Sequence, residues 1–297
     1  MKMIGAIIIL YNPDRKLLDR GLTRILPQVD EVCLVDNSPN NNCSIIMERF
    51  KRVSYIPLGE NLGIAAAQNI GINYFQEKRF DWVLFSDQDS TLSDGAVHML
   101  KKEHEYLEAL CIKVGIVGTR AVNRQTGKKY PSKSKEFGTV VSSDKRGIIT
   151  ECYSVRSSVS LIRIENIQKI GCMDESLFID GVDHEWCWRA WHKCALRSFI
   201  VENAILEHQL GEGDKSLAGK SVAITTPFRI YYQFRNYIWL CKRAYVPRWW
   251  KKKHLFKYGV KIIYYPLFVP SRVKYIRSIL NGLKDGFLKK QNHEHIQ

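Results

Sequence analysis

The chain lacks several features that would place it in a specialised class of protein. It has no run of about 18 apolar residues, so we expect no membrane-spanning helix. Its 8 Cys form no CxxC pair and have no His at ligand spacing beside them, which favours reduced thiols in a cytoplasmic protein. The apolar run 3–10 ends in Asn12-Pro13 without a cleavage site, as a first strand does and a signal peptide does not. Repeats and low-complexity segments are absent too, so the 297 residues indicate an ordinary folded protein.

Negative charge is scarce in the C-terminal part. The net charge is +15, and residues 242–297 contribute +12 of it, with 14 Lys or Arg against Asp285 and Glu294. Residues 1–241 are nearly neutral at +3. We therefore predict two parts: a domain over residues 1–241 and a basic, aromatic helical region over residues 242–297.

Strand-like and helix-like segments alternate along the first part, which predicts an α/β fold with a mostly parallel central sheet flanked by helices. Strands are expected at 3–10, 31–36, 53–57, 81–86, 114–118, 157–164, 196–201 and 204–207. Helices are expected at 15–26, 44–50, 63–78, 93–110, 182–192 and 227–244, and a polar loop at 125–145.

Asp87-Gln88-Asp89 is the most informative motif. The buried strand 81–86 precedes it, and open α/β sheets bind ligands at the carboxyl ends of their strands. Two carboxylates on a fixed strand end suit a divalent ion that also binds substrate phosphates. Turns are rich in Asp, however, so the motif gains meaning only from its neighbours.

Three other strand ends meet at the same predicted edge. They carry Tyr11-Asn12, Asp36-Asn37 and Asn61-Leu62-Gly63, the last opening a helix that contains Asn69. Gly63 lets backbone approach a ligand closely, and a helix N-terminus favours phosphate. Each motif alone is explained as a turn or a helix cap. Four of them at successive strand ends favour a nucleotide site.

In combination, these motifs resemble the family 2 glycosyltransferases, the inverting enzymes with the GT-A fold, and most closely their bacterial rhamnosyltransferases. The resemblance covers about residues 3–240. The motifs that carry it are Ile8-Ile9-Leu10-Tyr11-Asn12, Val35-Asp36-Asn37-Ser38, Asn61-Leu62-Gly63-Ile64-Ala65, Asn69-Ile70-Gly71, Ser86-Asp87-Gln88-Asp89-Ser90, Phe178-Ile179-Asp180-Gly181-Val182-Asp183-His184-Glu185-Trp186-Cys187 and Tyr231-Tyr232-Gln233-Phe234-Arg235-Asn236.

The resemblance implies roles for the strand-end residues. Asp36 would contact the nucleobase of the donor, Asp87 the ribose or the metal, and Asp89 would coordinate Mg²⁺ or Mn²⁺ on the diphosphate. A bound metal neutralises the charge that grows on a departing nucleoside diphosphate. The expected donor-binding residues are Tyr11, Asn12, Asp36, Asn37, Asn61, Gly63, Asn69, Asp87 and Gln88.

Inversion also requires a base for the acceptor hydroxyl. Asp183 is the expected base, because a helix N-terminus and aromatic neighbours surround it. The family often has an acidic pair where this chain has Val182-Asp183, which leaves Asp180 as a competitor. His208 follows the last predicted strand and would serve as a third metal ligand, although a lone His is more often structural.

Two further predictions concern the acceptor side. By resemblance, Arg235-Asn236 would line the acceptor or diphosphate pocket, where a guanidinium binds phosphate in bidentate fashion. The competing reading is a core-facing aromatic helix. Trp186 would contribute to a sugar-stacking wall, although Trp at helical spacing usually packs inward.

The basic region predicts a peripheral protein at the inner face of the plasma membrane. Arg248-Trp249-Trp250-Lys251-Lys252-Lys253 places Trp beside cations, as interfacial segments do. A homodimer contact is the second reading and is compatible with the first. Nucleic acid ranks last, because no recognition motif accompanies the charge.

The resemblance implies an inverting, metal-dependent glycosyltransferase of cell-surface polysaccharide synthesis. It would transfer L-rhamnose from dTDP-L-rhamnose to a polyprenyl-linked saccharide. The residues do not fix the donor, so a UDP-sugar with galactofuranosyl or other hexosyl transfer is an alternative. A nucleotidyltransferase would need a basic Gly-rich loop that residues 10–14 lack. A third alternative is a non-catalytic module that binds a nucleotide-sugar or a membrane. The presence of Asp87, Asp89 and Asp183 argues against it, because such a module would not need them.

Overall fold

A ten-stranded mixed sheet forms the centre of the protein. The computed structural model describes residues 2–40, 49–123, 126–130, 134–208, 214–217, 220–223 and 225–289, with only the backbone described from 208 to 223. The strands are β1 Ile4–Leu10, β2 Glu31–Asp36, β3 Val53–Pro57, β4 Trp82–Asp87, β5 Thr91–Leu92, β6 Val114–Asn123, β7 Glu136–Val141, β8 Ile148–Cys152, β9 Ser160–Arg163 and β10 Arg197–His208. Their order is β3-β2-β1-β4-β9-β6-β10-β8-β7, with β5 paired to β10. A separate hairpin joins β11 Asp214–Leu217 to β12 Lys220–Ala223.

Helices cover both faces of the sheet. They are α1 Arg15–Ile25, α2 Ile64–Glu77, α3 Ala96–Ala109, α4 Ile164–Ile170, α5 Val182–Cys194, α6 Pro227–Lys242, α7 Arg248–Phe268 and α8 Arg272–Leu288. One core cluster packs α1 and α3 on the sheet, and a second packs α2, α4 and α5 on the opposite face. The predicted α/β architecture with a C-terminal helical extension is therefore confirmed.

Alternation along β1 explains how a single strand serves both cores. Ala6 and Ile8 belong to the cluster under α1, whereas Ile7 belongs to the cluster under α2, because successive side chains leave opposite faces of a strand. Helix α2 lies very close to β1. A Cβ on Gly71 would lie 2.5 Å from Cγ2 of Ile7, so only glycine permits this approach.

The parallel half of the sheet creates the crevice that a ligand needs. β1 runs parallel to both β2 and β4, and the chain leaves β1 toward β2 on one side and returns at β4 on the other. This arrangement is a topological switch point, and loops at the carboxyl ends of β1 and β4 diverge around a cleft there. Asp87 is the last residue of β4, at that edge.

The structure corrects some of the sequence predictions. The segment 125–145 contains β7, which pairs antiparallel with β8 and extends the sheet, so polar composition there marks an exposed edge strand and not only a loop. The expected pair of strands at 196–201 and 204–207 is one strand, β10, with a register shift between Val201 and Ile205 where it follows β6. The helix expected at 44–50 lies largely outside the described residues.

The C-terminal helices have a small core of their own. Thr226 caps α6 by accepting from the Arg229 amide, with Pro227 in the first turn. Helix α8 packs along α6, where a Cβ on Gly282 would lie 2.5 Å from the carbonyl oxygen of Tyr231. No helix in the described part of the chain has the length and apolar character needed to cross a membrane.

Candidate active site

The ends of β1 and β4 are tied together across the crevice by Gln88. Its Oε1 accepts from the Tyr11 amide at 2.8 Å, and its Nε2 donates to the Tyr11 carbonyl oxygen at 3.3 Å. The next residue, Asn12, has a positive φ of 44° and donates its amide to Ser38 Oγ at 2.8 Å. Gln88 thus fixes the β1 loop, while the Tyr11 ring is left 48% exposed at the crevice.

Asp36 lies at the end of β2 as predicted, but it is fully buried. Its Oδ1 accepts from the Ser38 amide at 2.9 Å, and its Oδ2 accepts from the Tyr55 hydroxyl at 2.6 Å. Its neighbour Asn37 is nearly buried and accepts from the Leu62 amide at 2.8 Å. Asp36 and Asn37 therefore shape the β2 and β3 loops through the protein's own groups.

The N-terminus of α2 is shaped by Asn61 and Gly63. Asn61 Oδ1 accepts from the Gly63 amide at 3.0 Å, and Gly63 adopts a φ of +89° that favours glycine. A Cβ there would lie 2.6 Å from the Phe178 ring. Asn69, in the second turn of α2, is buried and exchanges hydrogen bonds with the Met173 backbone at 2.9 and 3.0 Å. The Asn69 amide is occupied by this structural role and faces no ligand space.

Asp87 and Asp89 differ in how they are held. Asp87 Oδ2 accepts from the Ser158 hydroxyl. Asp89 is partly exposed, and no described residue bonds to its carboxylate. This pair fits a Mg²⁺ or Mn²⁺ ion, because such ions commonly take one or two carboxylates and fill their other positions with water and substrate phosphate.

The third predicted metal ligand does not complete a cluster within the described structure. His208 ends β10, whose neighbour Glu207 pairs with Thr91 just after the Asp89 turn, but its side chain lies outside the described residues. Across the described part of the chain, no three His, Cys, Asp or Glu side chains are grouped closely enough to hold a metal ion. The predicted role of His208 stays a prediction.

Residues 156–158 bring the two predicted catalytic loops together. The Ser157 amide donates to Asp183 Oδ2 at 3.1 Å, and the adjacent Ser158 hydroxyl donates to Asp87. Burial lowers the pKa of the Arg156 guanidinium, while the negative charges of Asp183 and Asp87 oppose that shift. Carboxylates that are about a hundred residues apart in sequence thus share one cleft, with a guanidinium near both.

Asp183 stands in the first turn of α5 beside a small pocket. That pocket is lined by Gln68, Ser157 and Trp186, among others. One carboxylate oxygen of Asp183 accepts from the Ser157 amide, and no described residue donates to the other. An oriented carboxylate with one free oxygen in a cleft has the geometry of a general base.

Asp180, the competing base, is held in an ion pair. Arg229 donates to both of its oxygens, at 2.8 and 2.7 Å, and Gln233 adds a third bond at 3.3 Å. These hydrogen bonds are the main cause that raises the pKa of Arg229. With both oxygens engaged, Asp180 has no free oxygen directed at an acceptor, so the geometry favours Asp183.

Arg235, Asn236 and Trp186 face inward. Arg235 donates to the carbonyl oxygens of Ser176 and Leu177 and stacks on the Trp239 ring at 4.2 Å. Asn236 Nδ2 donates to the carbonyl oxygens of residues 177, 179 and 180 at 2.7–3.0 Å. Arg235 and Asn236 are therefore occupied in holding the segment 176–180, which leads into α5. Trp186 is 1% exposed and donates its Nε1 to the Gly171 carbonyl oxygen, as a Trp that packs inward does.

The sequence reasoning missed Arg156, Ser157, Ser158 and Arg229. Residues 157–164 were expected to be one apolar strand, but β9 begins only at Ser160. The polar run Arg156-Ser157-Ser158 directly before that strand was the available signal. Arg229 gave no local signal, because its role depends on α6 crossing the segment 176–180.

Comparison with known proteins identifies relatives of this chain. The family model for Glycosyl transferase family 2 matches residues 6–163. The dTDP-rhamnosyl transferase RfbF of Shigella flexneri is 32% identical over 255 residues, covering 82% of this chain and 81% of that protein.

Solved structures extend the match in fold. GalNAc-T7, determined with UDP, GalNAc and Mn²⁺, superposes with a TM-score of 0.56 at 14% identity, over 89% of this chain and 57% of that one. S. aureus TarS 1–349, determined in complex with UDP-GlcNAc, superposes with a TM-score of 0.57 at 15% identity, over 96% of this chain and 80% of that one. The predicted GT-A fold is confirmed by these neighbours, and the sequence matches show that the chain is a glycosyltransferase that belongs to glycosyl transferase family 2.

Proposed function

We propose that this glycosyltransferase is an inverting, metal-dependent rhamnosyltransferase. It transfers L-rhamnose from dTDP-L-rhamnose to a hydroxyl of a polyprenyl-linked saccharide at the inner face of the plasma membrane, in cell-surface polysaccharide synthesis. The donor is supported by 32% identity with a dTDP-rhamnosyl transferase along most of both chains. The single observation that carries the mechanism is the shared cleft, in which adjacent residues Ser157 and Ser158 bond to Asp183 and Asp87.

Asp183 acts as the base in this proposal. The acceptor oxygen forms a new bond to C1 of the sugar from the face opposite the diphosphate, and its proton passes to the free oxygen of Asp183. The C1–O bond to the diphosphate breaks, and the nucleoside diphosphate leaves with the bonding electrons. The Ser157 amide holds the Asp183 carboxylate in its orientation toward the acceptor. A well-placed general base raises the rate by about 10²–10⁴.

Asp87 and Asp89 would hold Mg²⁺ or Mn²⁺ in this proposal, with His208 as the candidate third ligand. The ion would neutralise the charge that develops on the diphosphate. Arg156 lies near Asp87 and Asp183 and donates no side-chain hydrogen bond within the described part of the chain, so its guanidinium is available to the same diphosphate. Arg156 is thereby added to the predicted donor-binding residues.

The nucleoside occupies the part of the crevice that lies beside the ends of β1 and β2. The exposed Tyr11 ring offers a stacking surface, and the Asp36, Asn37 and Asn61 network fixes the loops that form the walls. Asp36 meets the base only when the Tyr55 hydroxyl exchanges its hydrogen bond for one from the base. Asn69 is left out of the donor site, since its amide holds the Met173 backbone.

The test combines nucleotide binding with turnover. Thermal shifts with dTDP, UDP and GDP in the presence of Mn²⁺ are expected to show the largest stabilisation for dTDP. Turnover of dTDP-rhamnose with a polyprenyl-linked acceptor is expected to fall by about 100-fold or more in Asp89→Ala. The matched control is Asp94→Ala, which removes an 83% exposed carboxylate nearby in sequence.

Two results would overturn the proposal. Preferential stabilisation by UDP would move the donor to a UDP-sugar. Full turnover in Asp89→Ala, or turnover in metal-free buffer with chelator, would remove the metal from the mechanism. Binding of a nucleotide without turnover of any acceptor would restore the non-catalytic reading.

A further inference from the structure

Helix α7 exposes an apolar stripe that no described part of the chain covers. Phe256, Val260, Ile263 and Leu267 follow one another at helical spacing, with Phe256 78% and Ile263 62% exposed. The opposite side of α7 is occupied, since Tyr264 and Tyr265 are buried against the small C-terminal core. The stripe is therefore an outer surface of the part of the chain that the structure describes.

Helix α8 also exposes apolar side chains. Its inner face, with Tyr275 and Ile279, packs in the C-terminal core. Its outer face carries Val273, Leu280 and Phe287, which are 72%, 60% and 67% exposed. Leaving so many large side chains in water is unfavourable, and exposed apolar surface on this scale marks an interaction site. We call these residues of α7 and α8 the outer apolar face.

The charge of the same two helices selects the partner. Between residues 248 and 288 the only acidic residue is Asp285, which accepts from the Tyr231 hydroxyl. A second copy of the chain docked here would oppose two strongly cationic faces. A bilayer with anionic headgroups satisfies both the apolar side chains and the cations. The cations of this segment are Arg248, Lys251, Lys252, Lys253, Lys257, Lys261, Arg272, Lys274, Arg277 and Lys284.

We propose that the outer apolar face of α7 and α8 binds an anionic lipid bilayer in the plane of its headgroups. Phe256, Ile263 and their neighbours enter the apolar boundary, and exposed lysines such as Lys252 and Lys253 meet phosphate. This binding depends only on the surface of the two helices and not on the sugar-transfer reaction.

Contacts between α7 and the candidate active site give the docking a consequence. Lys261 Nζ donates to Gln233 Oε1, and Gln233 Nε2 donates to Asp180 at 3.3 Å. Lys257 also lies close enough to Asp180 for their charges to interact. A bilayer bound to the outer side of α7 is therefore separated from Asp180 by about the diameter of one helix, roughly 10 Å. If the proposed function holds, docking of α7 and α8 holds the active site close to the membrane surface. The saccharide of a lipid-linked acceptor lies at that surface.

The test is co-sedimentation of the full chain with vesicles. We expect binding to vesicles of about 30% phosphatidylglycerol in phosphatidylcholine, and much weaker binding to phosphatidylcholine alone. The double variant Phe256→Ser/Ile263→Ser should weaken partitioning by at least about tenfold, because it removes two inserting side chains. Lys252→Glu/Lys253→Glu should weaken vesicle binding by about tenfold or more. The wild type and the Phe256→Ser/Ile263→Ser variant should both be released from the vesicles in about 0.5 M salt. The matched control Leu110→Ser, which changes a 47% exposed residue at the end of α3, should bind like the wild type.

Three outcomes would overturn the docking proposal. The first is no binding of the wild type to anionic vesicles, and the second is unchanged binding of Phe256→Ser/Ile263→Ser. The third is a wild-type dimer in analytical ultracentrifugation that these substitutions make monomeric without any vesicle binding, which would assign the face to a second copy. Thermal shifts with dTDP and Mn²⁺ should be the same in all variants, so a failure of docking is separable from a failure of the proposed function.

Discussion

Exchanging Asp183 and Asp180 for Asn in separate proteins distinguishes the base from the ion-paired carboxylate. In Asp183→Asn the amide oxygen still accepts from the Ser157 amide, so α5 and the loop before it keep their positions. What is lost is an oxygen that takes a proton. A general base contributes about 10²–10⁴ in rate, which corresponds to about 3–5 kcal/mol of transition-state stabilisation.

Asp180→Asn has a different expected cost. The change removes the charge from a bidentate pair with Arg229, but the guanidinium is half exposed and keeps one acceptor. Such a pair contributes about 0.5–1 kcal/mol after screening by solvent. Turnover should therefore fall by less than about fivefold, and chiefly through a looser segment 176–180.

The assay is single-turnover release of the nucleoside diphosphate, with nucleotide affinity measured in parallel. We expect kcat to collapse in Asp183→Asn at nearly unchanged dTDP affinity, while Asp180→Asn stays close to the wild type. The reverse pattern, in which Asp180→Asn loses 100-fold or more and Asp183→Asn remains active, would refute the assignment. Circular dichroism of both proteins provides the check on folding.

Three further predictions concern the frame around the site. Gly63→Ala should destabilise the protein by about 2 kcal/mol or more and weaken dTDP binding, because the new Cβ would meet the Phe178 ring at 2.6 Å at a positive φ; urea unfolding and thermal shifts measure both effects. Glu185→Gln should cost about 3 kcal/mol or more in urea unfolding, since Glu185 is fully buried and its loss leaves the buried Arg189 guanidinium without its carboxylate partner. Burial raises the pKa of Glu202, but hydrogen bonds, first from Arg120, outweigh burial and bring it to about 2 from an ordinary 4.5. Its stabilising effect should be complete above about pH 4.5 and disappear as the pH falls toward 2, and Glu202→Gln should remove that part of the acid dependence of unfolding.

The edge of the sheet was predictable because it depends on local patterns. Where a run of apolar residues, or of alternating apolar and polar residues, stops, the sequence shows where the strand ends. Polar residues such as Asp87 and Asn12 stand at those ends. The parallel order of β1, β2 and β4 then brings those ends together without any further information. For this reason the crevice and its carboxylates could be located from the sequence, with β2 and β3 predicted to the residue.

Roles of amide side chains could not be predicted in the same way. Three amide side chains at motif positions form hydrogen bonds with backbone segments that are distant in sequence. They are those of Asn69, Asn236 and Gln88. A pattern shows that an amide is present, but it does not show which carbonyl oxygen lies opposite. Only the packing of α2 against residue 173 and of α6 against residue 179 decides that question.

The division into residues 1–241 and 242–297 stays a proposal. It follows the change in composition at residue 242, whereas helix α6 packs against both parts. One side of α6 holds the loop before α5 through Asn236, and its other side carries α8 at Gly282. The charge changes sharply at residue 242, but the packing does not, because α6 contacts both the loop that presents Asp183 and the helices of the outer apolar face. A helix shared in this way fixes the distance between Asp183 and helices α7 and α8. A lipid surface bound to those helices would therefore lie at a fixed distance from Asp183, whichever saccharide the lipid carries.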